Sequence, residues 1–126
     1  MRKLTVQSLS AVAVVAIAAL GLVQFASART ESQAVASATT IQVSGKEYSF
    51  KLSAKSIARP GTVTFNFKNA GHLRHDFSIN GKGTPMIKPG KTARVTVRFK
   101  KKGNYRYLCT VPGHAALGMK GVFTVR

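Results

Sequence analysis

From residue 39 onward, the chain consists of short runs in which apolar and polar residues alternate. A period of two places successive side chains on opposite faces of a β-strand, so that one face enters a core and the other meets solvent. No stretch of this region that is long enough for a helix has apolar residues at helical spacing. The inward sets are Ile41 and Val43; Tyr48, Phe50 and Leu52; Val63, Phe65 and Phe67; His75, Phe77 and Ile79; Ala93, Val95, Val97 and Phe99; Tyr105, Tyr107 and Cys109; and Phe123 and Val125.

Turn-forming residues separate these runs at regular intervals. They are Ser44-Gly45, Pro60-Gly61, Asn69-Ala70-Gly71, Asn80-Gly81, Pro89-Gly90 and Gly103-Asn104. Short alternating strands punctuated in this way are typical of two sheets packed face to face. The pattern therefore predicts an all-β fold, an antiparallel Greek-key β-sandwich of about seven strands.

The N-terminal segment has the three-part layout of a secretory signal peptide. Arg2 and Lys3 precede an uncharged apolar run over residues 9–23, and the small residues Ala26-Ser27-Ala28 follow as a cleavage pattern. The alternative is an uncleaved membrane anchor, but the run of about 15 residues is shorter than the ~20 that span a bilayer. We predict a signal peptide over residues 1–28, a linker over 29–38 and a domain over 39–126, exported to a periplasmic or other extracytoplasmic compartment.

The charge of the chain bears on its partners. Lys and Arg number 20 against three Asp and Glu, for a net charge of +17, which favours anionic partners. A nucleic-acid-binding protein would interleave basic residues with exposed aromatic ones. Here the aromatic residues occupy inward positions and the basic residues outward ones, so we expect acidic proteins as partners and no nucleic acid.

Candidate chemistry is concentrated in the stretch Cys109–Gly121, CTVPGHAALGMKG. It contains the only cysteine of the chain, with His114 and Met119 at the spacing Cys-x4-His-x4-Met. A single cysteine has no partner for an intrachain disulfide. It is therefore either a buried thiol that acts as a small apolar residue or a metal-binding thiolate. The Pro112-Gly113 turn allows the loop to bring His114 and Met119 back towards Cys109.

A fourth ligand must come from another strand end, and the stretch NAGHLRHDF offers two histidines. His75 shares the inward parity of Phe77 and Ile79, whereas His72 follows the turn formers and is expected in solvent. We therefore predict His75 as the ligand. We expect Met86 to fill the core or to lie in a loop rather than to bind metal, because Met119 already has the position of a ligand.

Two imidazoles, one thiolate and one thioether together indicate a metal. Zinc accepts Cys and His but rarely Met, whereas two His and one Cys with a long, weak axial Met form the blue-copper site. The sulfur ligands suit Cu(I) and the imidazoles suit Cu(II). The sequence thus predicts one copper ion bound by His75, Cys109, His114 and Met119.

The chain resembles the cupredoxins, small blue-copper proteins of the plastocyanin, auracyanin and sulfocyanin type. The matching segments, NAGHLRHDF, IKPGKTARVTV, GNYRYLC and CTVPGHAALGMKG, lie within residues 39–126. The resemblance implies three strong ligands, with Met119 axial, and an apolar patch around His114. It also implies that Asp76 tethers the cysteine loop, with Thr110 as partner. A surface ion pair of Asp76 with Arg74 or Lys120 is the alternative.

These features predict a monomeric carrier that shuttles single electrons between redox proteins with acidic docking surfaces. The alternative is a periplasmic protein for copper storage or delivery. One cysteine and three histidines exclude a dinuclear copper centre and the clusters of multicopper enzymes. The sequence has no Ser-His-Asp grouping, paired catalytic carboxylates or phosphate-binding loop, so we do not expect an enzyme. Stable membrane insertion is not expected once the signal peptide is cleaved.

Overall fold

The computed structural model describes residues 38–126, which form nine β-strands. The strands are β1 Thr39–Lys46, β2 Ser49–Leu52, β3 Ser56–Ile57, β4 Gly61–Asn69, β5 Ser78–Ile79, β6 Lys82–Gly83, β7 Thr92–Phe99, β8 Gly103–Leu108 and β9 Lys120–Val125. The predicted signal peptide and all but the last residue of the predicted linker lie outside the described residues. Within the described range, no helix has the length and hydropathy needed to span a bilayer.

The strands form two sheets, with the orders β2-β1-β4-β7 and β3-β9-β8-β5-β6. This confirms the all-β sandwich, but the prediction that it is antiparallel throughout is wrong. Strand β1 pairs in parallel with β4, and β3 pairs in parallel with β9. A period of two reports which face a residue occupies and is silent on strand direction. Residues 47–60 provide the crossover that a parallel β1–β4 pair requires.

The structure also has more strands than the predicted seven. Strands β3, β5 and β6 have two residues each, which is too short for an alternating pattern to identify them. The long strands follow the predicted parity, and β4, for example, buries Val63, Phe65 and Phe67.

The core lies between the two sheets and is rich in aromatic residues. The ring of Phe65 lies 5.2 Å from that of Phe77 and 5.3 Å from that of Phe123, measured between centroids. Five phenylalanines are buried completely or nearly so: Phe65, Phe67, Phe77, Phe99 and Phe123. Burying a large apolar side chain stabilises a fold by about 1.5–3 kcal/mol, so this cluster is the main source of stability.

Three connections meet at one end of the sandwich, which we call the loop end: residues 47–48, 70–77 and 109–119. The β1–β4 register pairs Gly45 with Asn69, so both strands finish together. The Ala70 N–H donates to the carbonyl oxygen of Gly45 (2.8 Å), which joins the two chain segments just beyond. Strand β8 ends at the same place and leads into the cysteine loop.

Candidate metal centre

The cysteine loop is closed by main-chain hydrogen bonds between the predicted ligand residues. The Cys109 N–H donates to the carbonyl oxygen of Met119, and the Met119 N–H donates to that of His114, both at 3.0 Å. Gly113 and Gly118 have φ angles of 86° and 118°, which favour glycine because a Cβ would be strained there. The spacing of the motif is thus the spacing of a compact turn, which brings Cys109, His114 and Met119 together.

The side chains of His75, Cys109 and His114 converge on one point. The His75 and His114 Nδ1 atoms are 3.2 Å apart, and they lie 3.8 and 3.7 Å from Cys109 Sγ. A point equidistant from the three atoms lies about 2.1 Å from each, within the ~2.0–2.3 Å of metal–nitrogen and metal–sulfur bonds. The three side chains are therefore close enough together to hold a single metal ion, and they form a potential metal-binding group.

Burial distinguishes the four predicted ligands. His75 and Met119 have no exposed surface and Cys109 has 1%, whereas His114 keeps 8%. Met119 is held beside the group by its main-chain bonds to Cys109 and His114. Its ε-methyl group packs against Gly45, where an added Cβ would lie 3.1 Å away. This position of Met119 is compatible with a thioether ligand, and ligation by Met119 remains a prediction.

Asp76 tethers the cysteine loop. Its Oδ1 accepts a hydrogen bond from the Thr110 N–H (2.7 Å), and its Oδ2 accepts one from the Thr110 hydroxyl (2.5 Å). In the described residues it forms no ion pair with Arg74 or Lys120. Of the two predicted roles, the tether is confirmed. Because Asp76 follows His75 and Thr110 follows Cys109, the two bonds restrain the distance between the segments that carry the histidine and the thiol.

A family model described as a cupredoxin-like domain matches residues 13–125. The chain belongs to this family. Auracyanin-B from Chloroflexus aurantiacus is 48% identical over 42 residues, which are 33% of this chain and 18% of that protein. The blue copper protein of Pisum sativum is 31% identical over 83 residues, 62% of this chain and 43% of that protein. The cupredoxin thus spans less than half the length of either relative.

Solved structures of auracyanins share the fold. The reduced auracyanin from Roseiflexus castenholzii is 27% identical with a TM-score of 0.61, and the match covers 71% of this chain and 98% of that one. Auracyanin B is 24% identical with a TM-score of 0.59, over 71% of this chain and 89% of that one. Together with the blue-copper relatives, the His75–Cys109–His114 group supports one copper ion as the cofactor. The domain boundaries at residues 28 and 38 stay predictions.

Glu47 is a residue of the site that the sequence analysis missed. In this cupredoxin its Oε1 accepts hydrogen bonds from the His72 N–H (2.8 Å), the Leu73 N–H (2.7 Å) and His75 Nε2 (2.9 Å). Main-chain hydrogen bonds, first the one from Leu73, lower the pKa of Glu47 to about 2, so it is ionised at neutral pH. Charge could have identified it, since Glu47 and Asp76 are the only acidic residues among the described ones.

The thiol of Cys109 is protected from solvent. Burial raises its pKa, an effect that hydrogen bonds from the main chain of Asp76 and Val111 partly offset. The free thiol is therefore protonated at neutral pH, and a metal must displace that proton to bind the thiolate.

The rim of the site matches the predicted surroundings. The His72 side chain is 98% exposed, which confirms it as a solvated loop histidine. Leu117 is 63% exposed, and Pro112, Gly113 and Ala116 are also exposed. Leu73 and Met86 are exposed as well. The cupredoxin thus has an apolar rim near His114, the most accessible of the predicted ligands.

Proposed function

We propose that this cupredoxin is an exported, mononuclear type 1 copper protein that shuttles single electrons. His75, Cys109 and His114 would hold the copper ion as the strong ligands, with Met119 as the weak fourth one. The observation that carries the proposal is the triangle of two imidazole nitrogens and one sulfur, with a central point about 2.1 Å from each, within the ~2.0–2.3 Å of metal bonds. Bound copper supplies the one-electron couple.

The protein's own contribution is to keep the ligands in place. Burial restrains His75 and Cys109, and the Asp76–Thr110 bonds restrain the segments that carry them. Ligands restrained in this way move little when the charge of the site changes, which favours rapid electron exchange. His114 gives the electron a route to the surface, because it is the most exposed ligand and the apolar rim lies beside it.

Spectroscopy of the copper-loaded protein tests the proposed electron-transfer function. A type 1 site gives strong visible absorption from the thiolate bound to Cu(II), and its copper exchanges slowly with a chelator. A colourless Cu(II) form that loses copper quickly would contradict electron transfer. It would favour copper storage or delivery. That second candidate is supported by 24% identity to the copper-resistant cuproprotein CopI of Pseudomonas aeruginosa over 80% of that protein.

The surface charge supports a redox partner with an acidic docking surface. Of the 20 Lys and Arg residues, Arg2, Lys3 and Arg29 precede residue 38, which leaves 17 in the described part. Both carboxylates of that part, Glu47 and Asp76, are hydrogen-bonded at the loop end. Electrostatic steering raises association rates by about 10–10³ and fades with salt. We therefore expect electron transfer to the partner to slow steeply from low to high ionic strength, and a salt-independent rate would contradict steering.

Export and oligomeric state are part of the same proposal. The basic leader, apolar run and small-residue cleavage pattern support removal of residues 1–28. N-terminal sequencing of the protein isolated from its host tests this directly, since an intact Met1 or Arg2 would indicate a retained anchor. Sedimentation at two concentrations tests the expected monomer.

A further inference from the structure

The turn between β1 and β2 contacts both histidines of the metal centre. Glu47 Oε1 lies 2.9 Å from Nε2 of His75, and the ring of the next residue, Tyr48, packs edge-on against His114 with centroids 5.1 Å apart. The carboxylate is 21% exposed, whereas the imidazole that it meets has no exposed surface. The Glu47 contact therefore reaches the buried side of His75, opposite the nitrogen that faces Cys109.

The main chain around Glu47 is shaped for a carboxylate. The N–H groups of His72 and Leu73 point at the same oxygen as His75 Nε2. Gly71 makes this approach possible, because a Cβ there would lie 2.5–2.8 Å from the carboxylate atoms of Glu47. Such a methyl group would overlap the carboxylate, so either it or the loop would have to move.

A neutral imidazole carries one N–H, and the hydrogen bond of one nitrogen decides which nitrogen is left as a ligand. An ionised carboxylate only accepts hydrogen bonds, so Glu47 selects the form of His75 that is protonated at Nε2. The lone pair then lies on Nδ1, which is the nitrogen 3.8 Å from Cys109 Sγ and 3.2 Å from His114 Nδ1. A carboxylate behind a ligand histidine also makes the imidazole a stronger donor to metal.

We propose that Glu47 is the positioning residue of the metal centre, which fixes the tautomer of His75 and stabilises Cu(II) relative to Cu(I). This inference rests on the proposed copper function. The oxidised site carries one more positive charge than the reduced site, so a fixed negative charge beside its ligand favours the oxidised state. Loss of the charge and loss of the donor effect both shift the equilibrium towards Cu(I).

Four variants of the full chain separate the effect of the Glu47 charge from the effect of its contact with His75. Glu47→Gln keeps an oxygen acceptor and removes the charge, and Glu47→Ala removes both. Gly71→Ala keeps the charge and displaces the carboxylate. The matched control is Ser49→Lys, which changes the net charge by the same amount as Glu47→Gln at an exposed position two residues away. Circular dichroism establishes that each variant is folded.

The first readout is the Cu(I)/Cu(II) ratio of the loaded protein at a fixed redox poise in about 0.15 M salt, where exposed charges are screened beyond ~8 Å. We expect Glu47→Gln to raise the ratio about tenfold, equivalent to 59 mV for a one-electron couple. Gly71→Ala should shift it in the same direction, and Ser49→Lys by less than twofold. Equal shifts in Glu47→Gln and Ser49→Lys would overturn the proposal, because any nearby charge would then suffice. An unchanged ratio in Gly71→Ala would also contradict it if the nitrogen-15 shifts show that the carboxylate no longer bonds to His75 Nε2.

The second readout is the tautomer of His75, which is measured without copper; the Cu(II) affinity is measured separately. Nitrogen-15 chemical shifts of the metal-free protein report which ring nitrogen of His75 is protonated. We expect Nε2–H in the wild type and a mixture of tautomers in Glu47→Ala, together with about 10–100-fold weaker Cu(II) binding. An unchanged tautomer and affinity in Glu47→Ala would rule out positioning.

The two readouts fail independently of each other. If the wild type showed no thiolate-to-Cu(II) absorption, the proposed function would fall, while the tautomer measurement would still report whether Glu47 orients His75. If the absorption were present and both readouts were insensitive to Glu47, the copper function would stand and the positioning role would fall.

Discussion

The body of the sandwich and its loop end differ in what fills their interiors. The body is packed with phenylalanine, valine and isoleucine side chains from facing sheets. All the buried polar residues among the described ones belong to the loop end or border it: Asn69, His75, Asp76, Thr84 and His114. Each of these side chains is hydrogen-bonded to a named partner.

The residues that stabilise the fold are therefore largely separate from the residues that form the metal site. Apolar burial is non-directional and scales with area, so the body tolerates any arrangement that fills it well. Hydrogen bonds require specific partners, and a buried polar group without one costs about 1–3 kcal/mol. Substitutions in the body should therefore change the free energy of unfolding and spare the copper site, whereas substitutions at the loop end should change the site first.

The largest effect is expected from Cys109→Ser. The substitution removes the thiolate while keeping a small side chain at a position that is 1% exposed. We expect complete loss of the visible Cu(II) absorption, with a thermal midpoint of the metal-free protein close to that of the wild type. An unchanged visible spectrum would refute Cys109 as a ligand.

In the body, Phe65→Ala should lower the stability and leave the copper spectrum unchanged, which is the reverse of the result expected for Cys109→Ser. Phe65 is fully buried and its ring contacts those of Phe77, Phe99 and Phe123. Truncation of such a residue costs about 3–5 kcal/mol, because it removes apolar burial and leaves a cavity. Denaturant unfolding measures the loss. The copper spectrum of the folded protein should be unchanged, and a shifted spectrum would show that the body and the loop end are coupled.

Asn69 lies where the two regions meet, so its substitution tests the boundary. Its Nδ2 donates to the carbonyl oxygens of Leu73 (2.8 Å) and Ile87 (3.0 Å), and its Oδ1 accepts from the Gly71 N–H (3.0 Å). Asn69→Ala leaves these buried groups without partners, and we expect a loss of about 2–4 kcal/mol. The loop that Asn69 holds also carries the N–H groups that contact Glu47. Because this loop should move in the variant, the copper site should change as well. A stable variant with an altered site would place Asn69 wholly in the loop end.

Asp76→Ala should act more on metal binding than on stability. It removes both hydrogen bonds to Thr110, and loss of a residue that orients ligands lowers metal affinity about 10–100-fold. Thr110→Ala is the matched control, since it removes the hydroxyl contact and keeps the N–H contact. Competition with a Cu(II) chelator gives both affinities. Equal affinities for Asp76→Ala and the wild type would show that burial alone holds the segments that carry His75 and Cys109 in place.

The sequence predicts the body better than the loop end, for a physical reason. Parity places the phenylalanines and His75 in the interior, and the Cys-x4-His-x4-Met spacing matches the loop that brings Cys109 to His114. Parity does not contain strand direction, which is why the sequence does not predict the parallel β1–β4 pair. That pair, with Gly45 opposite Asn69, is also what places Glu47 beside residues 71–75. The direction of β1 relative to β4 and the role of Glu47 are therefore missed for the same reason, since both depend on a strand pairing that alternation does not reveal.

The smallest expected effect concerns Tyr107, whose phenol lies in the body near the start of the cysteine loop. Burial raises its pKa above the ordinary value of 10.0. The folded state therefore holds this proton more tightly than the unfolded chain does. The resulting stability is fully present below pH 10.0 and is lost as the pH rises through the folded-state pKa. Tyr107→Phe removes this titration, so the variant should lose less stability than the wild type above pH 10.0. Urea unfolding on both sides of that pH, with Tyr105→Phe as control, measures the difference. An equal alkaline loss in wild type and Tyr107→Phe would mean that the buried phenol does not contribute to the pH dependence of stability.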